Sequence, residues 1–240
     1  MDPRLNIIDK RLAGIKRIIA VSGGKGGIGK SLTASVLALT LSRLGFRVGL
    51  LDLDLSAPST HVILGTEGLY PEEEKGLVPP VIHSIEFMSI VYFTGDNPVP
   101  LRGIDVSNAM LELIAVTRWG SLDFLIVDMP PGIGDATMDV IRWMKRAEFL
   151  VMATASKVAL ETVKKLIKML RVLNVPIIGV IENMKRGDSR LVTEGLKEFD
   201  VPFLAVIPFD EKIEDSIGDV NNLLKSDFAA KMKELVTTYF

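Results

Sequence analysis

Gly23-Gly-Lys-Gly-Gly-Ile-Gly-Lys-Ser31 decides the fold. The stretch fits G-x-x-x-x-G-K-[ST], with Gly24, Gly29, Lys30 and Ser31 in the fixed places. Each residue type has a chemical reason. Glycines let successive backbone N–H groups curl around phosphate oxygens, where a Cβ would collide. The cradle therefore runs through Gly24, Lys25, Gly26, Gly27, Ile28, Gly29, Lys30, Ser31 and Leu32. Lys30 carries a point charge toward the β- and γ-phosphates, and the Ser31 hydroxyl can ligate Mg²⁺. A helix starting near Lys30 adds its N-terminal partial positive charge. A second lysine, Lys25, sits inside the loop, which is uncommon.

The flanks agree. Arg17 to Ser22 is a β-branched apolar run, so a buried strand enters the loop. Ser31 to Leu44 has helical apolar spacing and ends at Gly45, so a helix leaves it. Further strands are expected at Arg47–Asp54, Ile85–Val91, Asp123–Asp128, Glu148–Thr154, Pro176–Glu182 and Phe203–Pro208. Helices are expected at Ile104–Val116, Thr137–Lys145, Lys157–Leu173, Ser189–Phe199 and Ser226–Thr237. In the first of these, Ile104, Met110, Leu113 and Ile114 should face inward. The 65–80 and 92–103 stretches read as long loops. Apolar strands alternating with amphipathic helices imply a doubly wound α/β fold, a mostly parallel sheet with helices on both faces. Its ligands bind at the carboxyl ends of the strands.

The 240 residues fit one domain over 1–240 with a sizeable core. A formal charge of −2 points to neither nucleic acid nor membrane as the main partner. There is no apolar run of membrane-spanning length, and Met1–Lys16 does not have the make-up of a signal peptide. The expected compartment is the cytoplasm. The chain has no cysteine, so it forms no disulfide and no thiolate metal site of its own.

Two strand ends supply acids. Asp128 follows Phe-Leu-Ile-Val, the form of a Walker-B acid that holds Mg²⁺ directly or through water. Asp52 and Asp54 end the Val-Gly-Leu-Leu strand, and alternation would put both on one side. Asp52 is the second candidate for the metal, and Asp54 the candidate to position or activate water. Asp54, and less readily Asp128, can instead be a helix cap or loop acid. Gly132, in the bend after Asp128, can offer its N–H to the γ-phosphate. Asn183 can donate to and accept from an adenine edge, and Pro208, Phe209 and Asp210 can close around the ring. A plain turn is the alternative for Asn183 and for Pro208–Asp210.

Lys25-Gly-Gly-Ile-Gly-Lys-Ser31 resembles the deviant Walker-A form of the MinD/ParA/nitrogenase-iron-protein class. More closely, the chain resembles the Mrp family of ATP-binding iron–sulfur cluster carriers. The likeness rests on Asp52-Leu-Asp-Leu-Ser-Ala-Pro-Ser59, Asn97-Pro-Val-Pro-Leu-Arg-Gly103, Trp119-Gly-Ser-Leu-Asp-Phe-Leu-Ile-Val-Asp-Met-Pro-Pro-Gly-Ile-Gly-Asp135, Ile181-Glu-Asn-Met184 and Ile207-Pro-Phe-Asp210. It implies a MinD-like P-loop NTPase fold, an Mg²⁺-dependent and slow ATPase, and a homodimer. In that class the extra lysine, here Lys25, reaches across a face-to-face dimer to the partner's phosphates. The catalytic set would then be Lys25, Lys30 and Asp54, with Ser31, Asp52 and Asp128 at the metal.

One departure stands out. Mrp-type carriers follow Glu-Asn-Met with a C-x-x-C pair that holds the cluster. This chain continues Lys185-Arg-Gly-Asp-Ser-Arg190. Soft thiolates hold such clusters, and cations cannot replace them. No intrinsic cysteine-ligated cluster is expected, and a cysteine-bearing partner would have to supply the ligands. A MinD/ParA-like switch with no metal role is the alternative. A third reading, nucleic-acid or membrane binding, rests on Lys157, Lys164, Lys165, Lys168 and Arg171 on one helix, with Lys185, Arg186 and Arg190 after it; a solvated helix face also explains the first set. A small-molecule kinase would share the loop but not the need for Lys25.

Overall fold

A computed structural model describes residues 2–66, 68–95 and 103–240. Ten strands are described: β1 (Ile15–Gly23), β2 (Val48–Asp52), β3 (Glu72–Glu73), β4 (Leu77–Val78), β5 (Val81–Ile82), β6 (Ile85–Ser89), β7 (Leu122–Asp128), β8 (Ala147–Thr154), β9 (Ile177–Lys185) and β10 (Phe203–Pro208). The α-helices are α1 (Pro3–Leu12), α2 (Lys30–Arg43), α3 (Thr60–Leu64), α4 (Val91–Thr94), α5 (Ile104–Val116), α6 (Asp135–Trp143), α7 (Lys157–Val172), α8 (Leu191–Gly195), α9 (Val220–Leu223) and α10 (Asp227–Tyr239).

Eight strands make one sheet, in the order β10-β9-β8-β1-β7-β2-β6-β5. All its pairs are parallel except β5 with β6. The central strands are buried on both faces, which is why β1 and β7 read as nearly unbroken apolar runs. One face packs Leu125, Val127, Phe149 and Val151 against α1, α5, α6 and α7. The other packs Ile126, Leu150 and Ile181 against α2 and α10. α2 is buried along nearly its whole length because it lies between the sheet and α10. α7 instead buries one stripe, Leu160, Val163, Leu166, Ile167 and Leu170, and turns its lysines outward. Fully burying a side chain such as Phe149 contributes about 2–3 kcal/mol.

The doubly wound expectation holds. Several details differ. α1 was not foreseen, because its mixed sequence shows a weak stripe; Asp2 caps it and Ile8 and Leu12 bury against the core. Ile104 is 76 % exposed at the first turn of α5, so it does not face inward. The expected 189–199 helix breaks into α8 and a 3₁₀ turn at Lys197–Phe199. β2 stops at Asp52, two residues early, while β9 runs on to Lys185. The 65–80 loop contains the small β3–β4 hairpin. Residues 97–102 of the Asn97–Gly103 segment lie outside the described residues.

Candidate nucleotide site

β1 brings the chain to the carboxyl rim of the sheet and α2 carries it away. Gly27 and Gly29 sit at φ 72° and 84°, backbone that side chains rarely adopt. At Gly29 the need is also spatial, because a Cβ would lie 2.3 Å from Asn183 Nδ2. At Gly24 it would lie 2.6 Å from Thr162 Cβ on α7. A Cβ at Gly26 or Gly27 would meet nothing within 4 Å. The loop is thus clamped from behind and open in front, where phosphates would lie.

Lys30 is buried at the first position of α2 and Ser31 is half-buried, while Lys25, Gly26 and Gly27 are exposed. The Asn183 side chain, 2 % exposed at the end of β9, donates from Nδ2 to the Ile28 carbonyl at 3.0 Å. Here Asn183 fixes the phosphate loop itself, a role that the adenine-edge expectation did not include.

Asp52 and Asp128 face each other in register on β2 and β7, and both are fully buried. Their surroundings differ. Asp52 Oδ2 accepts from Thr60 Oγ1 at 2.6 Å and from the Thr60 N–H at 3.3 Å, and Oδ1 accepts from the Asp54 N–H at 3.0 Å. Neither oxygen of Asp128 has a well-formed hydrogen bond. Burial above all, and then the Asp52 charge, holds the Asp128 carboxyl well above the usual carboxylate range; the Ser31 hydroxyl and the Lys30 cation oppose this. Burial also raises Asp52, against its hydrogen bonds from Thr60 and Asp54.

The orphaned Asp128 carboxylate beside Ser31 fits a hard divalent cation such as Mg²⁺. That ion needs one or two protein oxygens when phosphates supply others. Among the described residues no three acidic or histidine side chains converge into a metal site of their own. Asp54 lies beyond the strand, half-buried, with Oδ1 accepting from the Ala57 N–H at 3.2 Å. A turn, not strand alternation, sets its direction. Gly132 has φ 86° and open space around it, and its carbonyl accepts from Thr137 Oγ1 at 3.0 Å.

Five of the expected residues line one cavity of about 100 Å³: Leu32, Asn183, Pro208, Phe209 and Asp210, joined by Met184. It has room for a ring and not for a whole nucleotide. A larger cavity, about 510 Å³, lies at the far end of α2 beside Arg43, Lys225 and Lys233. It is remote from the rim, and those three cations are exposed, so the smaller cavity has the stronger chemical claim.

No sequence pattern marks Thr60 as the anchor of Asp52, or Thr162 behind Gly24. Nor does spacing reveal that the Arg186 guanidinium carbon lies 3.8 Å from the centroid of the Phe209 ring. Each pairs residues far apart in the chain or across a loop, where spacing is mute.

With the geometry in place, comparison with known proteins is direct. A family model described as NUBPL iron-transfer P-loop NTPase, of ParA type, matches residues 14–239. An iron-sulfur cluster carrier protein of Pseudomonas fragi is 44 % identical over 177 residues, covering 72 % of this chain and 62 % of the relative. One from Escherichia coli K12 is 41 % identical over 71 % of this chain and 47 % of its own length. The chain thus spans about half to three fifths of these relatives. Among solved structures, a nucleotide-binding protein of Archaeoglobus fulgidus in complex with ADP superposes with a TM-score of 0.75 at 26 % identity, covering 91 % of this chain and 92 % of that one. The septum site-determining protein MinD of Pyrococcus horikoshii, complexed with Mg-ADP, gives 0.69 at 21 % identity, with coverage of 92 % and 95 %, and shares the fold.

Proposed function

We propose that the chain, which belongs to the ParA-type family of NUBPL iron-transfer P-loop NTPases, is an ATP-driven dimeric switch in iron–sulfur cluster assembly or transfer. The observation that carries the reading is the rim itself. A glycine cradle open on one side, a buried Lys30, an orphaned Asp128 carboxylate and a ring-sized cavity lie along one edge of the sheet. Residues 1–240 act as one ATPase domain in this account, working in the cytoplasm.

In the proposed mechanism Gly24–Ser31 wrap the phosphates with backbone N–H groups and Lys30 neutralises their charge. Mg²⁺ would be held by Ser31 and Asp128, with Asp52 bracing the loop behind it, and would supply charge neutralisation for the leaving diphosphate. Asp54 positions the attacking water. Gly132 reports the γ-phosphate to the Asp128–Asp135 bend. Lys25, exposed at the front of the loop, acts on the nucleotide of a second copy. The cluster is cargo, and its thiolate ligands come from a cysteine-bearing partner, because this chain has none.

The absent cysteines equally favour the second reading, a MinD/ParA-like regulatory ATPase that captures a protein in its ATP state with no metal role. Nucleic acid and membrane partners find less support because three of the five α7 cations are engaged within the chain. Lys164 pairs with Glu161 and Glu198, Lys168 lies over the Phe199 ring, and Arg171 donates to the Phe199 and Asp200 carbonyls. Among the described residues no helix is long and apolar enough to cross a membrane.

The test is ATP turnover together with mass by light scattering, with ATP and with ADP. ATP should give a dimer and slow phosphate release. Lys25→Ala should bind ATP within about threefold of the original and lose dimerisation or turnover by tenfold or more. Unchanged turnover and dimerisation in that variant would remove the trans-acting lysine from the account. Anaerobic reconstitution with iron and sulfide then separates the two readings of cargo. This chain alone should hold no stable cluster, and it should stabilise one on a cysteine-bearing partner only in the first reading.

A further inference from the structure

The loop Lys185–Arg190, which follows Glu182-Asn-Met184, is held at several points. Met184 turns the chain with φ 55°, and its side chain faces the ring-sized cavity. Lys185 Nζ pairs with the fully buried Glu182 at 3.0 Å and donates to the Ser189 carbonyl, so one side chain closes both ends of the loop. The Phe209 N–H donates to the Lys185 carbonyl at 2.9 Å, which ties the loop to the end of β10. The guanidinium carbon of Arg186 then lies 3.8 Å from the centroid of the Phe209 ring. Phe209 also lines the cavity.

We propose that Arg186 is a positioning residue for base recognition: stacked on Phe209, it sets the ring as a platform for a purine in the cavity formed with Leu32 and Asn183. The proposal rests on the nucleotide reading of the rim. A bare Phe at a loop end, 37 % exposed, has two χ angles to lose when a base stacks on it. The planar guanidinium holds the ring in place beforehand, and arginine suits this better than lysine because it stacks as a plane. The pinned loop supplies Arg186 in a fixed position over the ring.

The readout separates base from phosphate. Titrate ATP and inorganic tripolyphosphate, each with Mg²⁺, into the full chain and into Arg186→Ala, Arg186→Lys and Arg190→Ala. Arg186→Ala should weaken ATP binding by about two- to fivefold, the worth of one exposed cation–π contact, and leave tripolyphosphate unchanged. Arg186→Lys should recover part of the loss. Arg190→Ala removes the same charge from the same loop without touching the ring, and should match the original. Combining Arg186→Ala with Phe209→Ala should cost no more than Phe209→Ala alone, since the two act as a unit. Unchanged ATP affinity in Arg186→Ala overturns the proposal while the nucleotide reading stands. Equal losses for ATP and tripolyphosphate, or an equal loss in Arg190→Ala, would make the effect one of general charge and also overturn it. No ATP binding by the original chain would overturn the nucleotide reading and this proposal together.

Discussion

The two halves of the rim are built in opposite ways. The proposed phosphate half, from Gly23 to Leu32 with Asp52 and Asp128 beneath it, is assembled from central strands; Lys30, Asp52 and Asp128 are buried, and only the Lys25–Gly27 tip of the loop is exposed. Its parts are close in sequence or in direct register, as Asp52 is to Asp128. The base half, from Asn183 to Arg190 with Pro208–Asp210, stands at the β9–β10 edge of the sheet. It is half-exposed and is held by a few separate contacts: the Asn183 amide on the Ile28 carbonyl, the Lys185–Glu182 ion pair, the Lys185 bond to the Ser189 carbonyl, the Phe209 N–H on the Lys185 carbonyl and the Arg186–Phe209 stack. A central, buried half resists change, whereas an edge half can be rewritten. The cationic Lys185–Arg190 loop lies at that edge.

Changes in the phosphate half should therefore be near-absolute, and changes at the edge graded. The largest effect is expected from Lys30→Ala, which removes a desolvated charge from the phosphates; nucleotide affinity by calorimetry should fall roughly a hundredfold or more. Retained affinity would break the comparison at its stronger end. Gly29→Ala should follow, since φ 84° and the Asn183 amide both oppose a side chain; about 1–3 kcal/mol of stability in urea titration, with nucleotide binding impaired, is the expected cost. Asn183→Ala joins the halves by testing the bond to Ile28. A loss of about 1–2 kcal/mol is expected, with weaker binding of ATP and of tripolyphosphate alike. A loss confined to ATP would assign Asn183 to the base alone.

The smallest effect concerns pH. Burial and the Asp52 charge raise the Asp128 carboxyl in the folded chain, so the fold binds that proton more tightly than the unfolded chain does. Stability of the nucleotide-free protein should then fall as pH rises from the ordinary carboxylate range through the raised value. Asp128→Asn removes the penalty. It should stabilise the nucleotide-free fold by at least about 1 kcal/mol more at pH 8 than at pH 5. An equal effect at both pH values would mean that Asp128 is not held protonated.

The same contrast explains what could be read from the sequence. The phosphate half was legible because its chemistry is local: a nine-residue loop needs glycine, lysine and serine at fixed places, and the acids announce themselves at the ends of apolar strands. The alternating pattern likewise gave the parallel sheet and its rim. Direction beyond a strand end was not legible. Asp54 was expected beside Asp52 by alternation, but β2 stops at Asp52 and hydrogen bonds orient the turn instead. Ile104 was expected inside because it is apolar, yet it begins a helix where little packs over it. The Arg186–Phe209 stack and the Thr60–Asp52 bond depend on how separate loops meet, which residue types alone do not encode.

The account turns on both halves serving one ligand. The most direct measurement is calorimetric titration of the full chain with Mg-ATP and, separately, with Mg-tripolyphosphate. One site per chain, with ATP bound more tightly than tripolyphosphate, is the predicted result. Equal affinity for the two would detach the cavity from the phosphate loop, and no binding of either would contradict the assignment of the rim as a nucleotide site.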